Sequence, residues 1–231
     1  MSEHDAQQGA DITGLTIAVL GGTGDQGRGL ARRFALAGLP VLLGSRSAER
    51  AAQAADALVA AESTPIEVRG LANADAAERG DIVIVAVPWD GHRELLVSLA
   101  DRLAGKIVVD CVNPLGFDKK GPFALDVPEG SAAQQAAEVL PGSRVTAAFH
   151  HVSAVLLLDP EVDQIELDVL VLGEDREATD TVRALADRIP GVRGVFGGRL
   201  RNAHQVEALT ANLIAVNRRY KTHAGVRITG I

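Results

Sequence analysis

The stretch Gly22-Thr-Gly24-Asp-Gln-Gly27 fits G-x-G-x-x-G and stands between "LTIAVL", Leu15–Leu20, and "GRGLARRFALAG". No other feature restricts the fold so tightly. The run before it is apolar and β-branched, as a buried strand requires. The run after it spaces Leu30, Phe34 and Leu36 along a helix that ends at Gly38. Strand, tight glycine turn and helix, in that order, make an anion cradle. The turn lets backbone approach a pyrophosphate, and free N–H groups at the helix start face it. A nucleotide-hydrolysing loop would end in Gly-Lys-Ser/Thr, but here the residues are Gly27-Arg28-Gly29. The competing reading is a glycine-rich turn without a ligand.

The rest of the chain repeats the alternation. "PVLLGSR" is expected as a second strand, and "SAERAAQAADALVAAES" as a helix with Ser47 as N-cap. "PIEVRG" is a weaker third strand and "LANADAAERG" a short helix or turn. "DIVIVAVP", "GHRELLVSLADRLAG" and "KIVVDCV" give strand, helix, strand. "NPLGFDKKGPFALDVPEG", rich in Pro and Gly, reads as a loop. Ser131-Ala-Ala-Gln134 resembles a capping box that opens a helix through Leu140. "SRVTAAFH" and "IELDVLVLG" follow as strands, and "EDREATDTVRALADRI" as a helix. Asn202 is the candidate N-cap of a terminal helix carrying Val206, Leu209, Leu213, Val216 and Tyr220 on one face. That face either docks on the body of the protein or builds a dimer interface. The expected architecture is α/β, a Rossmann-like, doubly wound, mostly parallel sheet with a small C-terminal helical extension. The expected divisions are a flexible tail over 1–13, a nucleotide-binding domain over 14–196 and a small C-terminal segment over 197–231.

Bulk properties narrow the function classes. The 231 residues are 47% hydrophobic with a net charge of −7 and no basic block, so nucleic acid is not an expected partner. The one cysteine, Cys111, excludes a disulfide within one chain and a cysteine-based zinc cluster, and its apolar surroundings make it a core thiol. "MSEHDAQQGADIT" has no basic or apolar region of a signal peptide, and no apolar run approaches ~18 residues, so a cytoplasmic chain with no membrane partner is expected.

The second strand selects the dinucleotide. An NAD site places Asp or Glu at its end for the ribose 2′-hydroxyl. Here Ser45, Arg46 and Arg50 stand instead, a hydroxyl and two guanidiniums that suit the 2′-phosphate of NADP. The acid–base sets of common reductases are missing. The single tyrosine, Tyr220, has Ala224 four positions on, so the Tyr-x-x-x-Lys pair of short-chain dehydrogenases is excluded. Neither H-E-x-x-H nor G-x-S-x-G occurs. His150 and His151 end a strand on the ligand-bearing edge, where a structural or supporting hydrogen-bonding role competes with proton transfer. Trp89 either walls a cofactor or packs beneath a loop. Hydride exchange between two redox cofactors would need little from side chains beyond positioning and exclusion of water.

"IAVLGGTGDQGRGLARRFALAGLPVLLGSRSAERA", "VAVPWDGH" and "AFHHVSA" together resemble the F420-dependent NADP reductases, as do "GSAAQQAAEVL" and "ALTANLIAVNRRYKTHAGVRI". The resemblance covers nearly the whole chain after the tail. It implies a homodimer that exchanges a hydride directly between NADP and coenzyme F420, an 8-hydroxy-5-deazaflavin. It also implies an NADP site at Thr23, Gly24, Asp25, Gln26, Ser45, Arg46 and Arg50. The nicotinamide would pass Val87, Pro88 and Trp89 and reach Ala154. The deazaflavin would be bounded by the backbone of His150–Val152 and by the tail near Val226. Lys119, Lys120 and Arg199 are candidates for its poly-glutamyl tail. This chain carries His151 and Ser153 where relatives often have less polar residues. Rival functions are another Rossmann reductase of a small imine or hydroxy acid, and a non-catalytic NADP sensor.

Overall fold

A computed structural model describes residues 10–231. The chain runs β1 (Ile17–Leu20), α1 (Asp25–Leu36), β2 (Val41–Ser45), α2 (Ala48–Ala61), β3 (Val68–Ala72), α3 (Asn73–Arg79), β4 (Ile82–Val85), α4 (His92–Leu103) and β5 (Ile107–Asp110). It continues through β6 (Leu115–Asp118), β7 (Gly121–Ala124), α5 (Ala132–Val139), β8 (Arg144–Ala147), α6 (Ala154–Leu158), β9 (Leu167–Gly173), α7 (Arg176–Ala186), β10 (Val192–Gly198) and α8 (Ala203–Tyr220). Eight strands form one sheet in the order β10-β9-β8-β5-β4-β1-β2-β3. All neighbours are parallel except β8 and β9.

The two-residue period of the strands sorts their side chains onto two faces. Ile17, Val19, Ile82, Ile84 and Val109 point to one core layer, with Leu30 and Phe34 of α1, Ala51 and Ala55 of α2 and Val182 and Leu185 of α7. Ala18, Leu20, Val83, Val85 and Val108 point to the other, with Ala76 of α3, Leu96, Leu99 and Leu103 of α4 and Ala132 and Ala136 of α5. Strands buried on both faces explain the nearly unbroken apolar runs in the sequence.

Several local expectations hold in detail. Ser47 Oγ accepts from the Arg50 amide at 3.3 Å, and Ser131 Oγ accepts from the Gln134 amide at 3.1 Å. Others are corrected. The Pro/Gly-rich stretch after β5 is not only loop but holds the antiparallel hairpin β6–β7, whose four-residue strands are too short to show an apolar period. The five-residue α6 is likewise too short to announce itself. β10 was hidden by three glycines in "VRGVFGG". Asn202 makes no side-chain cap bond, since a 3-10 turn over Leu200–Asn202 leads into α8. Residues 1–9 of the expected tail lie outside the described residues. Within its remainder, Ile12 is 3% exposed and belongs to the core.

Arg32 and Arg33 sit on the buried side of α1. Arg33 donates to the carbonyls of Leu156 and Leu157 at 2.6 and 2.9 Å, and Arg32 to Leu157 at 3.2 Å while pairing with Glu62. Guanidiniums thereby satisfy the carbonyls at the end of α6, where cations are also favoured by the helix dipole. The segment after β8 is fixed to α1, the helix that opens on the glycine loop.

Candidate functional site

β1 and β4 are neighbours, yet the chain leaves β1 towards β2 and β3, and leaves β4 towards β5 and β8. Such a switch opens a cleft at the carboxyl ends of the strands. Two adjoining cavities occupy it. One, of about 370 Å³, is lined by Thr23, Ser45, Arg46, Arg50 and Asn73 among others. The second, of about 480 Å³, is lined by Gln26, Trp89, Asn113, His150, His151 and Asn217 among others. Both include Gly24, Ala86, Val87 and Pro88, so they form one continuous cleft.

The glycine loop is built for close approach of backbone. Gly21 has φ +68°, and its amide donates to Asn73 Oδ1 at 3.2 Å. A Cβ on Gly27 would lie 2.6 Å from Gly22 Cα. Only hydrogen fits there, so α1 starts directly against the turn. Gly24 at the N-cap supplies no side-chain cap, which leaves amides of the first turn for an anion. Asp25, in that turn, is offset by Arg28 at 2.6 Å. Arg46 and Arg50 are exposed at the end of β2 and the start of α2, beside buried Ser45. These features fit a dinucleotide phosphate with a second phosphate at the β2 edge.

The larger cavity is lined differently. Its lining contains no tyrosine, lysine or arginine. Cys111 is buried, which pushes its thiol pKa well above the usual range, and its Sγ donates to the Val85 carbonyl at 3.0 Å. The His150 and His151 rings are 3% and 6% exposed, and their four nitrogens have no hydrogen-bond partner among the described residues. Burial lowers both pKa values, that of His150 to about 4, so both rings are neutral near pH 7. The Asn113 amide and the Thr210 hydroxyl donate to the His150 carbonyl at 2.7 and 3.1 Å.

Beneath the cleft runs a buried polar chain. His92 Nε2 is 2.6 Å from Asp110 Oδ2, and its Nδ1 is 2.9 Å from Gln135 Oε1. Burial opposes protonation of His92, but the charge of Asp110 and the hydrogen bonds to Asp110 and Gln135 carry its pKa above the ordinary value. Glu207 of α8 accepts from the amides of Ala132 and Ala133 at 3.0 and 3.2 Å, which ties α8 to the start of α5.

The family described as "NADP oxidoreductase coenzyme F420-dependent" matches residues 16–114. The F420-dependent NADP reductase of Methanothermobacter marburgensis is 41% identical over 223 residues, covering 94% of this chain and 99% of its own. This chain belongs to the F420-dependent NADP reductase family. The reductase of that name from Methanocaldococcus jannaschii is 39% identical over the same shares. A solved structure from Arthrobacter sp. FB24, provisionally described as an F420-dependent NADP-reductase, superposes with a TM-score of 0.75 at 27% identity, covering 94% of this chain and all of its own.

Against that family, the structure brings most of the expected site together. Thr23, Gly24, Ser45, Arg46, Arg50, Val87 and Pro88 line the smaller cavity, and Asp25, Gln26, Trp89, His150 and Val152 the larger. Two residues fall outside the lining. Ala154 opens α6 behind Ser153, and the Val226 carbonyl accepts from the Asp168 amide at 2.7 Å, so that Ala224, not Val226, faces the cavity. Lys119 and Lys120 lie exposed in the hairpin turn, whereas Arg199 pairs with Glu174 at 3.1 Å beside a separate cavity. Thr210 and Asn217 were missed. They flank Leu213 and Ile214 at helical spacing, and polar residues on an otherwise apolar face were the available signal.

Proposed function

We propose that this chain catalyses reversible, direct hydride transfer between NADP(H) and coenzyme F420. The observation that carries this reading is the continuous cleft, with an anion cradle at one end and, at the other, a lining that holds two buried imidazoles but no tyrosine, lysine or arginine. With both cofactors bound, they would supply the chemistry: a hydride would pass between nicotinamide C4 and deazaflavin C5 with no covalent intermediate, and one proton would be exchanged with solvent. The chain's contribution is to hold, orient and exclude water. Backbone amides at Thr23, Gly24, Asp25 and Gln26 hold the pyrophosphate. Ser45, Arg46 and Arg50 hold the 2′-phosphate. Val87, Pro88 and Trp89 flank the nicotinamide, which reaches towards Ala154 at the start of α6, and the backbone of His150–Val152 with the tail near Val226, through Ala224, bounds the deazaflavin side.

The same reading places the enzyme in the cytoplasm as a homodimer, with partly exposed Leu209 and Val216 of α8 among its available apolar surface. Among the described residues no helix is long and apolar enough to cross a membrane. Light scattering of the pure protein tests the dimer.

Deazaflavin absorbance in the presence of NADP tests the activity, with free flavins and hydroxy acids as negative controls. NADP binding without turnover of any donor would favour a sensor instead. Charge-assisted hydrogen bonds contribute about 1.5–3 kcal/mol each. Arg46→Ala is therefore expected to weaken NADP binding roughly ten- to a hundred-fold and to leave NAD binding little changed. Equal affinity of the wild type for the two dinucleotides would overturn the cofactor assignment.

A further inference from the structure

The loop between β8 and α6 is held at successive residues. Phe149 has a left-handed backbone, φ 64°, a conformation that is strained for a residue with a Cβ. Its carbonyl accepts from Gln26 Nε2 at 3.2 Å, and the next carbonyl, that of His150, accepts from Asn113 and Thr210. On the other side, Ser153 Oγ lies 3.3 Å from His223 Nδ1. His151 sits between these anchors, so its backbone, and with it the direction of its Cα–Cβ bond, is set in advance.

That ring lines the larger cavity, is 6% exposed, and has no partner for either nitrogen among the described residues. A buried polar group left unpaired is destabilising, and nothing in the packing of the loop is gained from an imidazole that an apolar side chain would not supply. Both histidines line this cavity, and the loop that carries them is tied to α8 through Thr210 and to the C-terminal segment through His223. His151 lies between these two ties, on the side walled by α8 and the C-terminal segment. Backbone strain, four anchoring hydrogen bonds and an unpaired imidazole on a cavity-lining residue occur together in five residues.

We propose that His151 is a ligand-orienting residue: its imidazole hydrogen-bonds the polar edge of the planar heteroaromatic ring held against α8. Resting on the proposed activity, that ring is the deazaflavin, not the nicotinamide. The neutral imidazole both donates and accepts, which matches a ring edge carrying carbonyl and N–H groups. An apolar residue at position 151 would leave that edge unpaired.

The experiment compares wild type, His151→Leu and His151→Gln by three readouts. Oxidised coenzyme F420 is titrated by its own fluorescence, NADP by calorimetry, and the ligand-free proteins are melted. His151→Leu is expected to raise the F420 Kd about tenfold, the equivalent of one hydrogen bond, to leave the NADP Kd within twofold, and to melt no lower than the wild type. His151→Gln restores part of the F420 affinity. An unchanged F420 Kd in His151→Leu overturns the proposal. So does a lower melting temperature with equal losses for both ligands, which would make His151 a structural residue. Failure of the wild type to bind F420 at all would refute the proposed activity itself.

Discussion

Replacing Glu207 with glutamine should change how the stability of this protein depends on pH. Glu207 is 2% exposed, and its two oxygens accept from the Ala132 and Ala133 amides. Burial pushes its pKa up to about 7 from 4.5, with the charge of Asp110 acting in the same direction and the two amides and His92 acting against it. Because the folded value lies above the unfolded one, the folded chain binds a proton that the unfolded chain releases. The resulting stabilisation is complete below about pH 4.5 and is lost as pH rises through about 7. A shift of this size corresponds to a swing on the order of 3 kcal/mol. Glutamine keeps the shape but cannot ionise, and with one acceptor oxygen it forfeits one of the two amide bonds, at about 1–2 kcal/mol at every pH. Wild type should therefore exceed Glu207→Gln in stability near pH 5 and lose that lead by pH 8. For a chain of this length the difference in Tm between the two should move by roughly 6–12 °C across that range. His92, raised, and His150, lowered, are present in both chains and cancel to first order in the difference. Urea unfolding of both chains at pH 5, 6, 7 and 8, followed by far-UV circular dichroism, measures it. A difference that stays flat across the series would show that Glu207 is ionised throughout, and that two amides outweigh its burial.

Gly27→Ala should both destabilise the fold and weaken NADP binding at least tenfold, because the new Cβ meets Gly22 Cα, a backbone atom that cannot turn aside. A variant with normal NADP affinity would refute the close-approach role of the loop. Since burial holds the His150 pKa down to about 4, its imidazole should not titrate between pH 6 and 9. The shape of the kcat profile in that range should be the same for wild type and His150→Gln, and a break present only in the wild type would contradict it.

The first half of the fold was legible because its determinants are local. Apolar runs of four to six residues, glycines at Gly22, Gly24 and Gly27, and the Ser47 cap each act within one turn or strand, so reading along the chain recovers β1 to β5. The grouping of Thr23, Ser45 and Arg46 around the smaller cavity was legible for the same reason, since they follow the ends of two consecutive strands. The second half resisted. The hairpin β6–β7, α6 and β10 are short or glycine-rich, and their stability comes from what they pack against. The antiparallel placement of β9 beside β8 depends on pairing between segments that carry no register signal of their own.

The sequence by itself therefore determined the Rossmann-like class, the glycine turn between β1 and α1 and the cationic residues that follow β2, because hydrogen-bonding turns and charge type are properties of neighbouring residues. Only the tertiary structure decided that Thr210 meets the His150 carbonyl across 60 positions, that Glu207 is buried against α5, and that His151 faces the cavity without a partner. Those facts depend on where α8 and the β8–α6 loop come to rest. That is set by the burial of apolar surface over the whole sheet, which periodicity along one segment cannot encode.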